Sequence, residues 1–337
     1  MRECPSTLPA ARGPRQGAVR LGRRAFIASG AGLLVLASPL RGAEPPAEPL
    51  PTRVLGRTKA KVTILGLGTA PIGEGPVDTP EAVRIFGEAL DRGVTYVDTA
   101  RSYGNAEEAL GLLVPKRRGQ LFIATKLWTD SGVQAQKLFE TSLRTLKVDY
   151  VDLVHIHHVG GKDVAKVLAK DGILEYLLKQ KEAGKLRFIG LSGHCRPPRF
   201  LEVLKTGQID VVMPVMNYAD VNTYNFEGTV LPECRKQGVG VVAMKVYVGI
   251  KGGFPNHRKA SVGCVTAPEL LPQALAYALD LEGVSVANIG PYTLEEAVKN
   301  VELARNYKPL TPDERAKLLA LGKQIAADIG PRYGPVA

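Results

Sequence analysis

From Arg53 onward the chain alternates short β-rich runs with amphipathic helical stretches, and this alternation constrains its fold more than any other feature. The β-rich runs fall near 64–68, 94–98, 121–125, 151–156, 186–190, 209–214, 239–243 and 284–289. Strands joined through helices run parallel, because each helix carries the chain back to the starting end of the sheet. Eight such units favour an α/β fold of the closed (β/α)8 TIM-barrel type over an open sheet. A doubly wound sheet is the alternative, and it calls for Gly-x-Gly-x-x-Gly after its first strand. Gly66-Leu67-Gly68-Thr69-Ala70-Pro71 has the first two glycines and lacks the third. Residues 52–54 and 61–63 flank Gly56-Arg57-Thr58, which predicts an N-terminal β-hairpin ahead of the barrel.

Local signals place the helices. Thr79-Pro80-Glu81 predicts an N-cap followed by Pro at the first helical position, with Gly93 past the end. Val83, Phe86, Ala89 and Leu90 then share one face. A second amphipathic stretch runs from Gln134 to Leu146, and a longer one from Asp163 to Ala183 ends at Gly184. Thr293 followed by Glu296 predicts a capping box. A last helix is expected over about 312–327, before a Gly/Pro-rich tail.

The N-terminus reads as an address. Arg23-Arg24 precede Ala25-Phe26-Ile27 and an apolar run to about Leu40, shorter than the roughly 20 residues a bilayer span needs. A basic region, a short apolar core and small residues near a cleavage point are export-signal features, and Gly22-Arg23-Arg24-Ala25-Phe26-Ile27 is similar to the twin-arginine motif. The expected organisation is an export signal over 1–43 (cleaved near Ala37 or Ala43), a Pro-rich linker over 44–51, a barrel over 52–327 and a tail over 328–337. This implies the export machinery as a partner, no stable membrane span and a periplasmic destination. The net charge of +11 is concentrated in the leader: residues 1–43 carry seven Arg against one acid, and the rest has 37 basic and 32 acidic residues. With no basic stripe interleaved with aromatics, nucleic-acid binding is not expected. Outside the leader, Cys195, Cys234 and Cys264 are dispersed and give neither a disulfide framework nor a metal spacing.

In a parallel barrel, side chains at the C-terminal ends of the strands converge on one mouth. Asp98, Lys126 and His157 close three successive β-rich runs, and Tyr103 follows Asp98 in the loop Ala100-Arg101-Ser102-Tyr103-Gly104. A phenol in water has a pKa of about 10, too high for efficient acid–base work at neutral pH. A neighbouring ammonium lowers it, and a carboxylate holds that ammonium in place. An imidazole can orient a carbonyl oxygen, so together the four groups polarise a carbonyl for hydride attack. His155 shares a strand face with His157 and is expected to be a hydrogen-bonded lining residue below the mouth. No Cys or acidic partner gives these histidines ligand spacing, so no metal site is assigned. Trp128 and His158 are candidates for the substrate pocket.

The segments Val97-Asp98-Thr99-Ala100-x-x-Tyr103-Gly104-x-x-Glu107, Ala124-Thr125-Lys126 and Asp149-Tyr150-Val151-Asp152-Leu153-x-x-Ile156-His157 resemble the aldo-keto reductase family. So does the opening from Leu55-Gly56-Arg57-Thr58 through Leu65-Gly66-Leu67-Gly68-Thr69, and the likeness covers about residues 52–305. The resemblance implies an NAD(P)-dependent oxidoreductase acting on a small aldehyde, ketone or sugar. Tyr103 would be its proton donor and acceptor, Asp98 and Lys126 would tune Tyr103, and His157 would orient substrate.

It also implies cofactor contacts at Gly68, Thr69, Ser192, Met213, Met244, Lys245, Gly290 and Asn300. Here the chain departs from the family pattern. Ser192 keeps its identity while Gly193 stands where the family has Asn, Met213 where Gln is usual, and Met244 where an aromatic stacks. Gly290 and Glu296 occupy positions where many relatives hold a 2′-phosphate with basic residues, so NADP(H) and NAD(H) both remain open. Export together with an intact tetrad implies a tightly held nicotinamide. The alternative is a nicotinamide-binding barrel of the same family serving as a regulatory or accessory subunit without turnover.

Overall fold

The structure is a computed structural model and describes residues 48–253, 259 and 263–337. The leader, with its arginine pair, lies outside the described residues. Two short antiparallel strands, β1 (Thr52–Val54) and β2 (Lys61–Thr63), form the expected hairpin. Eight parallel strands follow: β3 (Leu65–Gly68), β4 (Tyr96–Asp98), β5 (Phe122–Leu127), β6 (Val151–Ile156), β7 (Leu186–Gly193), β8 (Val211–Pro214), β9 (Gly240–Met244) and β10 (Val284–Ile289). Each pairs with the next in chain order, and β10 pairs back onto β3, so the sheet closes into a (β/α)8 barrel.

Alternation along these strands separates two cores. Tyr96, Phe122, Leu153, Val211, Val242 and Val286 point into the lumen, where Leu55 and Val62 of the hairpin join them. Tyr96 stacks on Phe122 at 5.5 Å and Phe122 on Phe188 at 6.0 Å, so packed rings fill the interior. The alternate residues, such as Val97, Ile123, Val154 and Ile189, face outward beneath the helices. A parallel sheet covered on both faces therefore reads as nearly continuous apolar runs. The same alternation brings Asp98, Lys126, His155, Ser192, Met213 and Asn288 inward, at the upper end of the barrel.

Some local expectations change. The N-cap of helix Thr79–Asp91 is Asp78, whose carboxylate accepts from Glu81 N, and Thr79 is the first helical residue. The single helix expected over 163–183 is two, Val164–Leu168 and Ile173–Glu182. Between them Asp171 adopts φ 66°, and the backbone pairs with the segment before helix Gly132–Leu146: Gly132 N donates to Asp171 O and Ile173 N to Asp130 O, both at 2.9 Å. Those bonds replace the helical ladder. Thr293 caps helix Leu294–Arg305, but Glu296 bonds Tyr292 N instead of closing a reciprocal box; the complete capping box is Thr311/Glu314, at the start of helix Pro312–Ile329.

The chain after Ile329 turns back over the mouth. Arg332 pairs with buried Asp220 at 3.0 Å, Tyr333 N donates to Tyr224 Oη at 2.7 Å, and Arg196 N donates to Pro335 O at 3.2 Å. At the other end, Leu50 is buried among core residues. No helix among the described residues is long and apolar enough to cross a membrane.

Candidate active site

A cleft of about 830 Å³ opens at the C-terminal ends of the strands. Its floor is a charged pair. Asp98, the last residue of β4, and Lys126, near the end of β5, are 3% and 1% exposed, and Lys126 Nζ donates to Asp98 Oδ2 at 2.7 Å. The ammonium also donates to Thr99 O at 2.9 Å. Two buried charges survive only when paired and hydrogen-bonded, and this pair has both. Burial pushes the Asp98 carboxyl up and the Lys126 ammonium down, while their contact opposes each shift.

Tyr103 is held above the pair by its loop. Tyr103 N donates to Ala100 O, and Ala106 N to Tyr103 O. Gly104 takes φ 43° against the Gly73 carbonyl, a place with no room for a Cβ. Arg101 anchors the loop to fully buried Glu107 at 2.5 Å, and Glu107 in turn accepts from Thr125 Oγ1 at 2.8 Å. Lys126 Nζ lies over the Tyr103 ring, 4.5 Å from its centroid, and the edge of His157 meets that ring at 5.8 Å. Trp128 packs on His157 at 4.9 Å and stacks on His158 at 5.2 Å. The tetrad and both pocket candidates therefore converge on one mouth.

The expected electrostatics need correction. Tyr103 is pushed well above the ordinary phenol value, first by burial and then by Asp98 and Glu74. The ammonium does not acidify the phenol outright, because Asp98, 2.7 Å from it, cancels most of its field. Burial, with Lys126 adding to it, also keeps His157 well below the usual imidazole range. The resting site thus presents a neutral phenol beside a neutral imidazole. His155 lines the lumen one layer lower, held neutral at about 3 by burial. The hydrogen bonds expected of it are missing: its ring nitrogens make only a loose contact with the Leu191 backbone.

Of the cofactor candidates, Gly68, Met213, Met244, Lys245, Gly290 and Asn300 line the cleft. Thr69 is fully buried, and its hydroxyl donates to Asp98 O at 3.0 Å, so it braces the end of β4. Ser192 Oγ is buried without a hydrogen-bond partner, and Gly193 beside it offers no side chain. Sequence reasoning missed His194, Asn288, Arg332 and Tyr333. His194 stands 5.6 Å from His158 and 5.2 Å from Tyr333. An amide among the apolar residues of β10 was a usable signal for Asn288; nothing local marks Arg332 or Tyr333, which reach the mouth only through the returning tail. Among the described residues no three His, Cys, Asp or Glu side chains gather as a metal site.

The geometry defines a closed parallel barrel with ionisable side chains gathered at its mouth. Residues 64–261 match the aldo/keto reductase family model, and the chain belongs to that family. It is 28% identical over 294 residues to the L-galactose dehydrogenase of Arabidopsis thaliana, covering 78% of this chain and 90% of that one. An aldo-keto reductase of Mycolicibacterium vanbaalenii is 34% identical over 203 residues, 57% of this chain and 68% of its own. Among solved structures, the holo form of a Bacillus halodurans aldo-keto reductase superposes with a TM-score of 0.66 at 26% identity, covering 81% of this chain and 96% of that one.

Proposed function

We propose that the protein is an NAD(P)-dependent oxidoreductase that interconverts a small carbonyl compound and its alcohol, with Tyr103 as general acid and base. The observation carrying this reading is the buried Asp98–Lys126 pair lying directly under the Tyr103 ring, with His157 at its edge. In reduction, a carbonyl oxygen seated between Tyr103 and His157 gains negative charge as its carbon is attacked. His157, neutral, donates a hydrogen bond to that oxygen, and Tyr103 passes it a proton. A phenol suits this step even when its pKa is raised, because an alkoxide is far more basic. In oxidation Tyr103 must first lose its proton, and Lys126 below it then steadies the phenolate.

Nicotinamide, when bound, supplies or receives the hydride. The residues fit it in part: the orphaned Ser192 hydroxyl suits a carboxamide, and Met213 and Met244 offer soft apolar packing. Glu296 in the cleft lining disfavours a 2′-phosphate while Lys299 in the same lining opposes that effect; on the carboxylate we base a preference for NAD(H) over NADP(H). For the substrate, a half-exposed Trp128 ring stacked on His158, with His194 beyond, suits the C–H faces and hydroxyls of a sugar, and similarity to an L-galactose dehydrogenase supports the same class. The leader is read as a twin-arginine export signal placing the enzyme, with nicotinamide already held, in the periplasm. The accessory-subunit reading rests on Gly193, Met213 and Met244 alone.

The test is steady-state turnover on a panel of aldehydes, ketones and sugars with both nicotinamides. Tyr103→Phe should abolish turnover while leaving nicotinamide binding unchanged. Turnover that survives the substitution refutes the role of Tyr103; a wild type inactive on the whole panel favours the accessory subunit. Fractionating the native host and analysing the purified protein for bound nucleotide tests export and retention together.

A further inference from the structure

The charged pair at the floor of the site has a third member. Asn288 lies on β10, two strands away from Asp98, yet its Nδ2 donates to Asp98 Oδ2 at 3.2 Å, the same oxygen that accepts from Lys126. It reaches that far because β3 between them bears no side chain on its inner face. Asn288 stands in register with Gly66, and Gly68 in register with Asp98. A Cβ on Gly66 would lie 3.0 Å from Asn288 Oδ1, and one on Gly68 would lie 3.2 Å from Asn288 Nδ2. The Gly66-Leu67-Gly68 segment, half of a dinucleotide fingerprint by sequence, is here the gap through which an amide crosses a strand.

The pair needs that amide. Among the described residues Oδ1 of Asp98 is buried without a partner, and Lys126 and Asn288 are the side-chain donors to its carboxylate. One proton is shared within the pair, either as carboxylate with ammonium or as carboxylic acid with amine. Burial favours the neutral arrangement. A donor to the carboxylate favours the charged one.

We infer that Asn288 is a positioning residue of the reaction: by bonding Asp98 Oδ2 across β3 it keeps the proton on Lys126, and so keeps a cation beneath Tyr103. Other charged or titratable groups face the same centre. Tyr96 and Lys245 face Asp98; Glu74, Glu107, His155, His157, His194 and Lys245 face Lys126; Glu74 also faces Tyr103. Side-chain hydrogen bonds to the Asp98 carboxylate come from Lys126 and Asn288.

The inference rests on Tyr103 being the acid–base group, so Tyr103→Phe is run alongside. Asn288→Leu keeps the volume and removes the donor. Alcohol oxidation needs the phenolate, so its rate rises with pH. In Asn288→Leu the half-rise should move up by at least half a pH unit, kcat should fall about tenfold or more, and KM for the nicotinamide should stay within about threefold. A purely structural role would lower Tm and leave the half-rise where it was. Asn288→Ser, small, polar and too short to reach Asp98, must give the same shift, which covers the case in which the leucine variant does not fold. An unmoved half-rise in a folded variant overturns the inference while Tyr103→Phe still abolishes turnover. If Tyr103→Phe stays active, the proposed function falls first and this inference with it.

Discussion

Removing the ammonium alone gives the sharpest test of the floor of the site. In Lys126→Met the side-chain volume is nearly kept, but Asp98, 3% exposed, loses its ion-pair partner at 2.7 Å and keeps one amide donor at 3.2 Å. Stripping one partner from a buried pair costs about 3–5 kcal/mol. For a barrel of this size that lowers Tm by on the order of 10 °C. The carboxyl escapes part of the cost by holding a proton, so its folded pKa rises further above the unfolded value of about 3.9. A raised folded pKa contributes stability that is complete below the unfolded pKa and lost as pH rises through the folded one. The variant should therefore lose stability relative to wild type as pH rises above the unfolded carboxyl value of about 4, by up to about 1.4 kcal/mol per unit. Urea unfolding at four pH values measures this directly. Adding Asp98→Asn should recover most of the loss and flatten its pH dependence, because an amide can stay buried beside Asn288 without charge. A single variant whose deficit is the same at pH 5 and pH 8 refutes the reasoning.

Two further outcomes follow from the walls of the cleft. Glu296 lines the cleft where many relatives hold a 2′-phosphate, so Glu296→Gln should tighten NADP(H) by about tenfold, or about 1–2 kcal/mol, with little effect on NAD(H). Titration of both nucleotides checks it, and an unchanged NADP(H) affinity removes the basis for an NAD(H) preference. Tyr333 closes the mouth against His194, so Tyr333→Ala should raise KM for small substrates about three- to tenfold with kcat nearly unchanged, and improve kcat/KM for bulkier ones. Kinetics that do not change with substrate size would take the tail out of the pocket.

How much of this was legible in the sequence depended on distance along the chain. The eight strands all appeared as apolar runs near the observed positions, because strands covered on both sides admit few polar residues. Asp98, Lys126 and His157 were readable for the complementary reason: each is an ionisable residue at the end of such a run, where only the mouth can accommodate it. What failed was information carried between segments remote from one another. Helix 163–183 looked continuous by periodicity, and only the pairing of Asp171 and Ile173 with residues 130–132 breaks it. The acidifying influence expected of Lys126 on Tyr103 counted Asp98 as an anchor for the ammonium and left out burial of the phenol and the field of that carboxylate, both of which raise the phenol's pKa. Gly66 and Gly68 were weighed as a truncated nucleotide motif, yet their inner faces are bare so that Asn288, more than 180 residues later, can reach Asp98. The catalytic groups of a closed barrel can be picked out strand by strand. The groups that set their protonation come from neighbouring strands, and these become adjacent only once β10 has closed on β3.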